Sequence, residues 1–106
     1  MSDPVLPDEL DPVIHERVRL AIVSALAVSA DMSFNELKET LSLTDGNLST
    51  HARTLEEAGY IRIVKSFEGR RPHTRMRLTR SGRSRFRKYL ETLRKVVEQG
   101  EETQGA

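Results

Sequence analysis

No cysteine occurs anywhere in these 106 residues. Its absence removes a disulfide framework, a thiolate metal site and a cysteine nucleophile together. The three histidines, His15, His51 and His73, stand far apart in the sequence. None pairs with another at the i, i+4 spacing that sets two imidazoles on one helix face, so neither a metal nor a cofactor is expected. Long apolar runs are missing too, and nothing approaches the ~20 residues that cross a bilayer. The opening Met1-Ser2-Asp3-Pro4 is acidic. It lacks the basic start and apolar stretch of a secretory signal, so the expected location is cytoplasmic, with no membrane partner. No Ser/His/Asp constellation, phosphate-binding glycine loop or supported carboxylate pair can be made out, which argues against an enzyme.

What the chain does have is charge, on 31% of its residues, and the net value of +1 conceals how it is distributed. Residues 1–61 carry 4 Lys and Arg against 11 Asp and Glu, a balance of −7. Residues 62–88 carry 11 against 1, a balance of +10, and residues 89–106 carry 2 against 4, or −2. A basic block in a nearly neutral chain is the footprint of a surface for a polyanion. A solvated charged face would give the same count, so the arrangement of the charges has to decide.

Length allows one domain with a modest core. Residues 1–10, with two prolines and three acids, read as a flexible arm. Asp11-Pro12 is a helix-start signal, and the apolar spacing from Ile14 to Leu26 predicts a helix to about Ser29. Few polar residues interrupt that helix, and an apolar surface so wide calls for cover on both sides. Ser33 and Glu36 fit a capping box opening a short second helix to about Leu41. Thr44 or Asp45 caps a third that stops at Gly59. The period then changes to two, with Ile61 and Ile63 on one side and Arg62, Val64 and Ser66 on the other. Residues 68–73 supply a turn, and residues 74–78 alternate again, giving a β-hairpin. Thr79 caps a last helix to about Glu98, and residues 99–106 read as a disordered tail. The expected fold is mainly α with a small hairpin (α+β), in the order helix, helix, helix, hairpin, helix over residues 11–98.

Helices two and three, joined at Ser42-Leu43, make a helix-turn-helix candidate. Leu48, Ala52 and Leu55 fix the buried stripe of the third helix. Its other side presents Gly46, Asn47, Ser49, Thr50, Arg53 and Thr54, with His51 at the border. Short hydrogen-bonding side chains and one cation suit a major groove about 12 Å wide. The pieces Gly46-Asn47-Leu48-Ser49-Thr50-His51, Leu55…Ala58-Gly59-Tyr60-Ile61 and Leu78-Thr79…Gly82 occur in that order, with a basic hairpin between the last two. Together they resemble the winged helix-turn-helix regulators of the MarR/ArsR-like group, over roughly residues 11–97.

The resemblance implies a double-stranded DNA partner, with the third helix in the major groove. The hairpin would then be a wing whose Lys65, Arg70, Arg71, His73 and Arg75 reach backbone or minor groove. It also implies a homodimer through the first and last helices. Phe86, Leu90, Leu93 and Val97 have coiled-coil spacing, and Val13, Leu20, Val23 and Ala27 widen the stripe of the first helix. The function expected is sequence-specific regulation, as a repressor by occlusion, with room for an unidentified small-molecule effector. The competing reading is a winged-helix module for protein–protein contact. It is disfavoured because no large apolar anchor shows on the Asn47–Arg53 face.

Overall fold

The computed structural model describes residues 3–104. After a 3-10 turn at Pro7–Glu9 come α1 (Arg17–Ser29), β1 (Asp31–Ser33), α2 (Phe34–Thr40), α3 (Asp45–Glu57), β2 (Ile61–Glu68), β3 (Arg71–Leu78) and α4 (Arg80–Gln104). The strands form one antiparallel sheet in the order β1-β3-β2. Its inner rungs pair Ile61 with Leu78 and Ile63 with Met76, and these side chains meet the helices. Ile14, Ile22, Val23, Leu26, Leu37, Leu48, Leu55 and Tyr60 are fully buried at the centre of one core.

Local chemistry explains the element ends. Ser33 and Glu36 form the expected capping box of α2. The α2 exit is a Schellman turn: Leu43 N–H donates to Lys38 O and Ser42 N–H to Glu39 O, with Ser42 at φ 53°. The same pattern ends α3, where Tyr60 N–H donates to Leu55 O and Gly59 N–H to Glu56 O. There Gly59 takes the positive φ of 83° that glycine accepts without penalty. Thr79 caps α4, its hydroxyl accepting from Gly82 N–H at 2.8 Å.

Four expectations need correction. First, α1 begins at Arg17, not at Pro12. Glu16 is its cap, accepting from Val18 N–H at 2.9 Å and Arg19 N–H at 2.8 Å. Asp11 is drawn elsewhere: it accepts from Val13 N–H, the Tyr60 hydroxyl and Arg85. Second, the hairpin turn is only Gly69-Arg70, because Glu68 already pairs with Arg71, and Pro72 and His73 belong to β3. Third, α4 continues through Gly100 to Gln104. One glycine costs a helix only about 1 kcal/mol, and Glu101 and Glu102 are good helix formers. Gly105 and Ala106, the rest of the expected tail, lie outside the described residues. Fourth, the segment from Asp3 to Leu10 lies along α4 and is not a free arm: Gln99 Nε2 donates to Asp3 O at 2.8 Å, and Leu10 packs on the core. Met1 and Ser2 lie outside the described residues. The far end of α4 leaves the body, which gives the molecule an elongated outline of 61 × 25 × 21 Å.

Candidate nucleic-acid interface

Helix α3 is amphipathic, so its outward side follows from what it buries. Leu48, Ala52 and Leu55 point into the core, leaving Gly46, Asn47, Ser49, Thr50 and Arg53 exposed. Two predicted members of this face are otherwise engaged. Thr54 is half-buried, and its hydroxyl donates to Thr50 O. His51 stands three residues after Leu48 and four before Leu55, on the inward side of the helix. It is half-buried, with Nδ1 3.1 Å from Arg19 Nη1 and 3.6 Å from Glu16 Oε1. Its place is the junction of α1 and α3, not the outward face. Burial pushes the Glu16 carboxyl up, but the N–H groups of Arg19 and Val18, with the charges of His51 and Arg19, hold it below its ordinary value.

The hairpin forms a second wall beside α3. A cleft of about 310 Å³ runs between them, lined on the helix side by Ser49, Arg53 and Glu56 and on the sheet side by Ile63, Lys65, Thr74 and Met76. Glu56 and Thr74 are not among the residues that the sequence pattern assigns to the site. Glu56 anchors the two walls together, accepting from Ile63 N–H at 3.0 Å. Thr74 was legible from the alternation, since it faces Lys65 across the ladder.

Register separates the predicted wing residues. Ile61, Ile63, Lys65 and Phe67 alternate onto the side turned to α3, together with their partners Leu78, Met76, Thr74 and Pro72. His73 and Arg75 fall on the opposite side, where acids of β1, β2 and α2 hold them. Arg75 Nε donates to Asp31 Oδ1 at 2.9 Å, and Glu36 lies 3.9 Å from its guanidinium. His73 Nε2 lies 3.8 Å from Glu68. Those two residues are therefore removed from the cationic surface beside α3. Arg71 alternates onto the same side as they do but, like Lys65 and Arg70, stays exposed and without an acidic partner among the described residues. Of the 11 cations in residues 62–88, Arg75, Arg77 and Arg85 pair with acids. The other eight have no acidic partner among the described residues. A surface that merely kept itself soluble would use mixed charges in pairs. This one leaves most of its cations uncompensated.

The start of the hairpin is held to the helices by a half-buried polar knot. The Tyr60 hydroxyl donates to Asp11 Oδ2, Arg85 Nη2 donates to the same oxygen at 3.0 Å, and the guanidinium carbon lies 4.0 Å from the Tyr60 ring centroid. Burial, then the hydrogen bond to Asp11, pushes the Tyr60 hydroxyl well above its ordinary pKa. Burial also pushes the Asp11 carboxyl up, but bonds from Tyr60, Val13 and Arg85 outweigh it and hold Asp11 below its ordinary value. Arg85, one of the 11 cations of residues 62–88, is thus a structural cation.

The predicted dimer residues divide similarly. Val23 is fully buried and Phe86 is 8% exposed within the single chain, because α1 and the first half of α4 close on their own core. Neither has surface left for a partner. Val13, Leu20, Ala27 and Leu93 are half-buried, while Leu90 and Val97 are exposed on α4.

A family model described as a winged helix DNA-binding domain matches residues 18–97. An uncharacterized protein of Methanocaldococcus jannaschii is 38% identical over 78 residues, 74% of this chain and 85% of that protein. The solved structure of a transcriptional regulator homologue from Pyrococcus horikoshii superposes with a TM-score of 0.73 at 28% identity, covering 86% of this chain and 95% of that one. The regulator MarR of E. coli, solved in complex with operator DNA, has the same fold at 19% identity, with a TM-score of 0.63 over 80% of this chain and 58% of that one.

Proposed function

Since the chain belongs to the winged helix DNA-binding domain family, whose members bind DNA and are not enzymes, we propose that it is a dimeric, sequence-specific repressor of transcription acting in the cytoplasm. Helix α3 enters the major groove, and the hairpin tip lies against the backbone and minor groove. One observation carries this reading: Arg53 and Lys65 line opposite walls of a single open cleft, and neither is engaged by an acid among the described residues. Asn47, Ser49 and Thr50 extend the helix wall with groups that donate and accept hydrogen bonds to base edges and phosphates. Repression follows from occupancy, since a body seated on promoter DNA excludes polymerase from it.

Dimerisation is supported by the exposed Leu90, on the outer face of α4 beside the core residue Tyr89, and by the exposed Val97 further along the helix. Two copies joined there would offer two recognition helices about 34 Å apart and select a pseudo-palindromic site.

The test is a mobility-shift titration over a range of salt. Arg53→Ala is expected to cost about 1–3 kcal/mol of binding and to relax specificity. Arg70→Ala combined with Arg71→Ala should reduce the slope of log K against log salt by about 2. An unchanged slope in the double variant would remove the hairpin from the interface. Absence of any salt-dependent DNA complex would favour the protein–protein reading.

A further inference from the structure

Phe67 is 71% exposed, whereas Phe34 is half-buried and Phe86 lies in the core. We propose that Phe67, backed by its cross-strand partner Pro72, is an apolar wedge that presses into a base step of the minor groove and selects a deformable step there. This deepens the DNA-binding reading and rests on it.

Placement is the first reason. Phe67 lies on the same side of β2 as Lys65 and Ile63, the side turned to α3. The rungs Ile61–Leu78 and Ile63–Met76 are absorbed by the core, and Lys65–Thr74 lines the cleft. Phe67–Pro72 is the next rung outward, about 13 Å beyond Ile63 at the rise of an extended strand. A duplex seated along α3 would therefore meet this rung beside the cleft.

Charge is the second reason. Lys65 lies on the ring's side of the ladder and Arg70 at the turn next to it, while Arg71 alternates onto the other side with Glu68; all three are exposed, as a negatively charged groove requires. The hairpin's one acid, Glu68, alternates onto the other side and faces His73 at 3.8 Å. An apolar ring on a hairpin that carries exposed cations matches the chemistry of minor-groove wedges, in which Phe or Pro unstacks a step while Arg holds the phosphates. A protein partner would ask for a contiguous apolar patch. The nearby exposed Val64 lies on the opposite side of the sheet, so no such patch forms.

Rigidity is the third. The loop has only two residues, and Gly69 at φ 65° supplies the positive φ that its first position demands. Pro72 fixes its own φ. The ring is thus presented by a pre-ordered ladder, and little chain entropy is lost when it seats.

Duplexes recovered from a random-sequence pool by the wild-type protein would be rebuilt with a fluorescent adenine analogue at the step under the hairpin. That step would be varied between TA, CA and AA. The wedge predicts unstacking, seen as a rise in fluorescence, and roughly tenfold tighter binding to TA or CA than to AA. Phe67→Ala should abolish the rise and bring the preference close to unity, while Phe67→Leu retains part of both. The salt slope should not move, because the ring neutralises no phosphate. Circular dichroism would confirm that each variant folds, as expected for so exposed a residue. Wild-type complexes with flat fluorescence and no step preference, or a preference that survives Phe67→Ala, would overturn the wedge and leave DNA binding intact. Recovery of no duplex at all would overturn the DNA-binding reading and the wedge with it.

Discussion

Replacing Gly82 by alanine should unfold this protein at a markedly lower temperature, although the change favours helix. An added Cβ would stand 2.1 Å from Tyr60 O, 2.8 Å from its carbonyl carbon and 2.9 Å from its Cα. All three atoms are backbone, so no side chain can swing aside, and α4 must part from the α3 exit by roughly 1 Å to restore van der Waals contact. Tyr60 O also receives Thr79 N–H at 3.0 Å and the Thr79 hydroxyl at 3.2 Å, and separation stretches both. Overpacking of this kind costs about 1–3 kcal/mol, and two weakened hydrogen bonds add about 1 kcal/mol each. The gain in helix propensity returns only about 1 kcal/mol. A net loss of about 2–4 kcal/mol lowers Tm by on the order of 10–20 °C for a domain of this size. Gly100→Ala in the same helix meets nothing within 4 Å and should leave Tm unchanged or slightly raised. Thermal and urea melts followed by circular dichroism would compare the two. If Gly82→Ala melts at or above the wild type, the close approach of α4 to Tyr60 is wrong.

The polar knot gives an acid limb to stability. Asp11 has its folded pKa below the ordinary 3.8, so its contribution is complete above that value and is lost as pH falls through the folded pKa. Tyr60→Phe should cost about 1–3 kcal/mol near neutral pH and flatten urea stability measured below pH 4, and an unaltered acid limb would contradict the knot. Ser42→Gly should stabilise by about 1 kcal/mol, since Ser42 sits at φ 53° with its backbone bonds already made. A urea midpoint at or below that of wild type would count against that turn. Leu90→Glu with Val97→Glu should shift sedimentation from dimer to monomer without lowering the helical signal, because both side chains are exposed in the single chain. A variant that still sediments as a dimer would place the interface elsewhere.

Much of the architecture could be read from local rules. The Ser33–Glu36 box, the Thr44 and Thr79 caps and the Gly59 stop depend on neighbours within one turn, and all appear where the pattern puts them. The buried stripe Leu48-Ala52-Leu55 fixed the open side of α3 by periodicity alone. Several errors came where a side chain had a remote partner. Asp11 looked like a helix cap until Tyr60, 49 residues away, took its carboxylate. His51 looked like a border residue until Glu16 and Arg19 drew it inward.

Sequence by itself therefore determined the order of elements, the polar side of α3 and the concentration of cations in residues 62–88, because each depends on spacing or composition. Tertiary structure decided which of those cations are available. Arg75, Arg77 and Arg85 carry the same charge as Lys65, Arg70 and Arg71, yet Asp31 and Asp11 claim the first three and leave the others open. It also decided that Val23 and Phe86 belong to the core of one chain. The physical reason is common to both: periodicity tells which residues share a face, but only the packed chain tells what that face meets.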